Sequence, residues 1–252
     1  MIALLAAVLL AVPAPSSQPS PAPVVDFEAG TAHENLTRGY PAWSKQYLRI
    51  TRKTADREVL YAELSSNNRF AKCDDQFLLG AFVPLSERWM ASAEGSASNT
   101  HYVLPAESIY GGVTYASGGA WYESMGLRHT DYAAASVNST GVTIEHYWYN
   151  YRANYSVTAA NLAGLGMDVE HAVELDRYYG KRNSSVGIGY TAGREIDSVG
   201  PAQLVTSRVH GWNVSGRHWM NATWAVVYGG GTFAQGTFYT RTGGRVGLDY
   251  RF

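Results

Sequence analysis

The chain closes on Gly244-Arg245-Val246-Gly247-Leu248-Asp249-Tyr250-Arg251-Phe252, and the reading of this stretch decides the fold. Val246, Leu248, Tyr250 and Phe252 alternate with Arg245, Gly247, Asp249 and Arg251. Successive side chains of a β-strand point to opposite faces, so one face here is apolar and aromatic while the other is charged. A soluble sheet shows that pattern once. In this chain it recurs about a dozen times, with aromatics at the strand ends.

Working outward, alternating segments cover residues 24–36, 43–53, 57–68, 74–83, 88–98, 106–117, 120–130, 138–149, 151–162, 167–180, 183–194, 202–212, 217–228 and 240–252. Tight connections are expected at Ala55-Asp56, Pro84-Leu85-Ser86, Ser117-Gly118-Gly119, Asn150, Lys181-Arg182 and Val214-Ser215-Gly216. Longer ones fall near Thr37–Trp43, Phe70–Cys73, Asn99–Pro105, Asp131–Val137, Gly164–Gly166, Glu195–Pro201 and Gly229–Thr240. Every second connection is tight, which calls for an even number of antiparallel strands. Trp89, Trp121, Tyr147, Trp148, Tyr149, Tyr151, Tyr178, Tyr179, Trp212 and Trp219 lie beside the tight turns, where amphipathic rings form an interfacial girdle. The fold class expected is all-β: a transmembrane antiparallel up-and-down β-barrel of about 14 strands. Twelve is the alternative if the N-terminal hairpin stays outside the wall.

Residues Ile2 to Val12 form the one long apolar run, followed by Pro13, Pro15, Pro21 and Pro23. The run is too short to span a bilayer as a helix, which needs about 20 residues, and it fits the apolar core of a signal peptide. Residues 1–23 are therefore assigned to a leader, with Ala14 and Ala22 as alternative cleavage points, and 24–252 to one barrel domain in the outer membrane. A net charge of −1 gives no reason to expect a nucleic-acid partner. Cys73 is the single cysteine, so neither an intramolecular disulfide nor a cysteine metal site can form. No cofactor or metal is expected.

Several local features coincide with one family. They are Pro84-Leu85-Ser86-Glu87-Arg88-Trp89, Leu104-Pro105, Arg128-His129 with Tyr132, and Glu145 with Tyr147. To these add Tyr151-Arg152 with Tyr155, Gly193-Arg194-Glu195, and Tyr239, Arg241 and Gly243 before the Gly-Leu-Asp-Tyr-Arg-Phe end. Over residues 25 to 252 the chain resembles the YaiO-type outer membrane proteins. That resemblance implies an outer-membrane barrel, often encoded near envelope or exopolysaccharide machinery, with polysaccharide export components as partners and no established activity. The terminal Phe252 resembles the closing residue through which such barrels engage the barrel assembly machinery. Outer-membrane lipid and lipopolysaccharide complete the expected partners.

With apolar residues toward lipid, the alternate positions face the lumen. Arginine on the lipid side near the midplane would cost about 2–4 kcal/mol. The inward set is then Arg49, Glu63, Arg88, Glu94, Arg128, Glu145, Arg152, Glu170, Glu174, Asp176, Arg208, Arg245, Asp249 and Arg251, balanced between arginines and carboxylates. Within it, Arg88, Glu94, Arg128, Glu145, Arg152, Glu170 and Glu174 are the candidate cluster for solute binding or salt bridging. Arg128, Glu145 and Arg152 fall on three consecutive strands.

Catalytic readings are weaker. His146 alternates with Glu145, His129 stands at an outer rim beside Asp131, and no Gly-x-Ser-x-Gly turn occurs. No catalytic residue is assigned. His171 and Glu174 lie on opposite faces, and Gly229-Gly230-Gly231 lacks the lysine of a phosphate loop. The function expected is a non-enzymatic barrel, either a pore or an export or scaffold component for envelope polysaccharide. The alternatives are an enzyme acting on lipid or glycan at the rim and a plugged structural barrel. A plugged barrel pairs its charges across the lumen, whereas a pore leaves water between them.

Overall fold

A computed structural model describes residues 22–54, 56–162, 166–182, 184–200 and 203–252. The leader up to residue 21 lies outside them, as do Ala55, Gly164, Asn183 and Pro201 of the expected turns and strands. The strands are β1 (Val24–Leu36), β2 (Trp43–Lys53), β3 (Val59–Arg69), β4 (Lys72–Pro84), β5 (Trp89–Ser98), β6 (Glu107–Gly118) and β7 (Trp121–Asp131). They continue as β8 (Ser136–Trp148), β9 (Tyr151–Leu162), β10 (Gly166–Tyr179), β11 (Ser184–Gly200), β12 (Gln203–Trp219), β13 (Trp224–Gln235) and β14 (Tyr239–Arg251). Each pairs antiparallel with its sequence neighbours, and β1 pairs with β14, so the sheet closes into a barrel. The N-terminal hairpin is part of the wall, which decides for fourteen strands over twelve.

The alternation read in the last strand is real. Leu248 is 50% exposed while Asp249 is fully buried. Leu48, Leu64, Phe77, Leu79, Leu127 and Val142 form the same exposed apolar band on other strands, as a barrel in lipid requires. Register gives the size. From Asp26 the paired residues run through Thr51, Tyr61, Gly80, Glu94, Tyr110, Arg128, Ser139 and Ala160 to Asp168 on β10. In the other direction Glu34 leads through Gly243, Gly231, Asn213 and Gly189 to Glu174. The two paths stand eight residues apart on β1 and six apart on β10, a shear of about 14. With strands about 4.8 Å apart rising about 3.3 Å per residue, the strands tilt by about 35° and the backbone diameter is about 26 Å. Eight-stranded barrels are filled by their own side chains; this one is wider.

Three sequence expectations are corrected. Val214-Ser215-Gly216 is not a turn: β12 runs on to Trp219. The chain reverses at Asn221, whose side-chain oxygen accepts hydrogen bonds from the Thr223 and Trp224 amides at 2.9 and 2.8 Å, an Asx turn. The long outer loops expected at Glu195–Pro201 and Gly229–Thr240 are largely strand, because β11 extends to Gly200 and β13 to Gln235. Connection length does not separate the two ends either. Phe70-Ala71, at the end away from the termini, is a two-residue hairpin with both φ angles left-handed.

Aromatics mark the end that carries both termini, which in outer-membrane barrels is the periplasmic one. On the outer face there, Trp89 packs on Tyr115 with centroids 4.7 Å apart, Trp121 stacks on His146 at 4.1 Å, and Trp224 meets Tyr250 at 4.8 Å. Tyr147, Tyr178 and Trp219 do not join this girdle. They share strand parity with lumen residues, and Trp219 is buried beneath the Arg251 guanidinium at 4.2 Å. Trp212 faces lipid, but within β12 rather than beside a turn, against Tyr190 at 4.6 Å.

The seam where β1 meets β14 is locked by charge. Buried Asp26 accepts two bonds from Arg251, at 2.7 and 3.1 Å, and one from Lys53 at 3.1 Å. Arg217 joins Glu28 at 3.1 Å and Asp249 at 3.2 Å. Charge-assisted bonds each contribute about 1.5–3 kcal/mol. Asp26→Ala, which strands two cations at the closure, is expected to lower the temperature at which the compact electrophoretic form is lost. Arg52→Ala, on the exposed outer face of β2, should leave it unchanged; equal effects would show that the seam is not a special site.

Candidate functional site

The lumen wall is built by tyrosines laid over glycines. Tyr61 lies across Gly80 and donates to Glu94 at 2.7 Å; Tyr47 lies across Gly30 and donates to Glu28 at 2.6 Å. A Cβ at either glycine would collide with the ring. Bare backbone on one strand thus lets the neighbour's ring lie flat, and the phenol orients a carboxylate.

Onto this wall fall most of the sequence candidates, but not as one cluster. Glu94 and Arg128 pair at 2.9 Å, with Ser108 accepting from Arg128 at 3.1 Å. Arg152 forms a second group, 2.7 Å from both Glu174 and Asp176 and 3.9 Å from Glu145. Glu170 stands apart from both, with Arg241 as the charged group that acts on it. Arg128 turns toward β5, not toward Arg152, so the three-strand grouping of Arg128, Glu145 and Arg152 does not form. Arg88 is exposed in the β4–β5 turn, and Arg208 faces outward on β12 at its outer end. Inward orientation is forced only within the hydrocarbon, and both lie outside it.

Sequence reasoning missed about half of the inward charges: Lys45, Lys53, Arg69, Arg217 and Arg241, and Asp26, Glu28, Glu34, Asp74, Asp168 and Glu195. Strand parity was the available signal for Lys45, Lys53, Arg69, Arg241 and Asp168, each of which stands an even number of residues from a correctly assigned lumen residue on its strand. Their placement changes the electrostatics. Strands β12–β14 and β1–β3 present Lys45, Arg49, Lys53, Arg69, Arg217, Arg241, Arg245 and Arg251 against Asp26, Glu28, Glu34, Glu63 and Asp249. Strands β8–β10 present Glu145, Asp168, Glu170, Glu174 and Asp176 against Arg152. Since β2 and β9 are seven strands apart in a ring of fourteen, a cationic arc faces an anionic one. The lumen carries a small excess of acids and is polarised across its width.

The outer mouth is narrowed from within. Asp74, fully buried and on the lumen face of β4, accepts from the amides of Tyr102, Val103 and Leu104 at 3.0, 2.7 and 2.9 Å and from the Thr100 hydroxyl. One carboxylate thereby draws the β5–β6 loop inward and buries Val103 and Leu104. On the cationic side, Trp43, Phe70, Tyr40 and Tyr239 pack edge to face, with centroids 5.3–5.9 Å apart. Below them lies a recess of about 510 Å³ against β1–β3 and β12–β14.

Outside, His129 places Nδ1 2.7 Å from Asn138 and Nε2 3.2 Å from Asp131, which in turn holds the Ser136 hydroxyl. Here the acid, not the histidine, touches the serine, so the imidazole is not placed to take its proton. His146 belongs to the outward girdle, away from Glu145. No metal-ligand group of three occurs among the described residues.

The family model "YaiO membrane beta barrel domain" matches residues 25–198. No curated protein matches the sequence. Among solved structures, a bacterial polysaccharide outer membrane secretin is 8% identical with a TM-score of 0.54, covering 90% of this chain and 98% of its own. The Acinetobacter baumannii outer membrane protein Omp33 is 11% identical with a TM-score of 0.53, covering 91% and 99%. At these identities the likeness is one of fold, and the fold is that of outer-membrane barrels.

If Asp74 alone holds the loop inward, Asp74→Ala should expose 99–106 to protease added from the outer face. The expected gain in cleavage rate is at least tenfold, with the heat-dependent gel shift of the barrel retained. Unchanged cleavage would mean that burial of Val103 and Leu104 suffices.

Proposed function

The chain belongs to the YaiO family of membrane β-barrels, and from that premise we propose that it is a non-enzymatic, water-filled pore of the outer membrane serving passage of envelope polysaccharide. One observation carries the pore: among the described residues, ion pairs run along the wall, not across it. Those of Asp26, Glu63, Glu94, Arg152 and Asp168 join adjacent or next-nearest strands. The longest, Arg217 to Glu28, reaches from β12 to β1 and stays within one arc. With a backbone diameter of about 26 Å, charges tied to their own wall leave the centre to water. The polysaccharide part is supported by the family and by a lumen rich in hydroxyl and amide groups that suit sugar hydroxyls. Assembly would begin at Phe252, whose amide bonds the Val25 carbonyl at 2.9 Å while its ring stays exposed.

The test is single-channel conductance of the refolded, gel-shift-competent protein in a planar bilayer. Discrete steps are expected. Glu174→Gln with Asp176→Asn should move the reversal potential in a salt gradient toward anion selectivity by several millivolts, because the anionic arc then loses two charges. A silent bilayer overturns the pore reading and leaves a scaffold.

A further inference from the structure

Gly229, Gly231 and Gly243 are neighbours in the register of β13 and β14, on the lumen face, and Ala32 stands close by on β1. They line a recess of about 510 Å³ and put no side chain larger than a methyl into it; at Gly231 and Gly243 an added Cβ would meet the backbone of the neighbouring strand. Its volume lies within the range of small-molecule sites, about 300–1,000 Å³. The charged side chains lining it are Lys45, Arg69 and Arg245 against a single acid, Glu34. Lys45 is engaged with Glu63 at 2.6 Å and Glu34 with Arg241 at 3.8 Å. Arg245 differs: it is exposed to the lumen, and among the described residues no ion pair or hydrogen bond holds its guanidinium. It lies alongside Gly229, where an added Cβ would come 3.4 Å from its Nε. Asn67, Asn213 and Ser215 complete a polar lining.

We propose that this recess binds the carboxylate of an acidic saccharide unit, with Arg245 as the principal contact. A guanidinium offers two parallel N–H donors to a carboxylate, which a neutral sugar cannot use. The bare glycine wall admits a flat ring against the backbone, and the amides of Asn67 and Asn213 suit its hydroxyls. The saccharide identity rests on the pore reading above; the oxyanion chemistry rests on the recess alone. Opposite stands the anionic arc, which repels the same polymer and confines it to the recess side.

Current block by a hexuronate trimer, by maltotriose and by inorganic phosphate, each added to the outer side, tests this. The trimer should half-block at a concentration at least tenfold below that of maltotriose. Arg245→Ala should raise the trimer's half-blocking concentration about tenfold, and Arg245→Lys should restore part of it. Block insensitive to Arg245→Ala, or equal for acidic and neutral trimers, overturns the proposal. Phosphate blocking as well as the trimer, with the same Arg245 dependence, overturns the saccharide assignment and leaves an oxyanion site. The same three compounds are titrated calorimetrically against the detergent-solubilised full chain. Trimer binding lost in Arg245→Ala, beside a silent bilayer, would sustain the site while the pore reading fell.

Discussion

Lipid supplies no hydrogen bonds, and from that constraint the rest of the structure follows. Every backbone amide and carbonyl within the membrane must find its partner in the chain, which leaves an all-strand wall no option but to close. Closure is made at one place, between the first strand and the last. There Asp26, Glu28 and Asp249 meet Lys53, Arg217 and Arg251, so the seam has ionic links in addition to its backbone ladder. Aromatics outside and tyrosines inside occupy the positions that this single closed surface offers them.

Once the wall is closed, its interior is lined by charges that water can reach only from the ends. Most of them are paired to neighbours on the same wall. Arg152 among Glu145, Glu174 and Asp176, opposite an arc rich in arginine and lysine, leaves a field directed across the lumen. Such a field acts on charged or strongly dipolar solutes more than on neutral ones. The recess beside Arg245 and the loop held by Asp74 are two local features of the same interior, one widening it and one narrowing it.

Much of the fold was legible because period-two alternation reports directly which residues face lipid. The errors cluster where a residue type carries two meanings. Glycine reads as a turn, yet Gly216 and Gly229–Gly231 are strand, and the glycines on the lumen face leave the wall bare. Aromatics near a reversal read as girdle, yet Trp219 falls on the inward parity once the true turn is placed, and Tyr147 shares its parity with lumen-facing Glu145. Arg88 and Arg208 were drawn inward by a membrane-cost argument that does not reach beyond the hydrocarbon.

The sequence by itself determined an outer-membrane barrel of antiparallel strands and left twelve or fourteen open, because alternation, strand length and terminal aromatics are local properties repeated along the chain, whereas closure at the first strand is not. Only the tertiary structure decided which charges meet. Glu94 takes Arg128 two strands away, and Arg217 reaches Glu28 three strands away through the closure. Register and shear set those meetings, and both depend on every hydrogen-bonded pair round the ring at once. The same holds for the polarised lumen: charges can be counted along a chain, but the side of a barrel on which each charge stands exists only after the ring is closed.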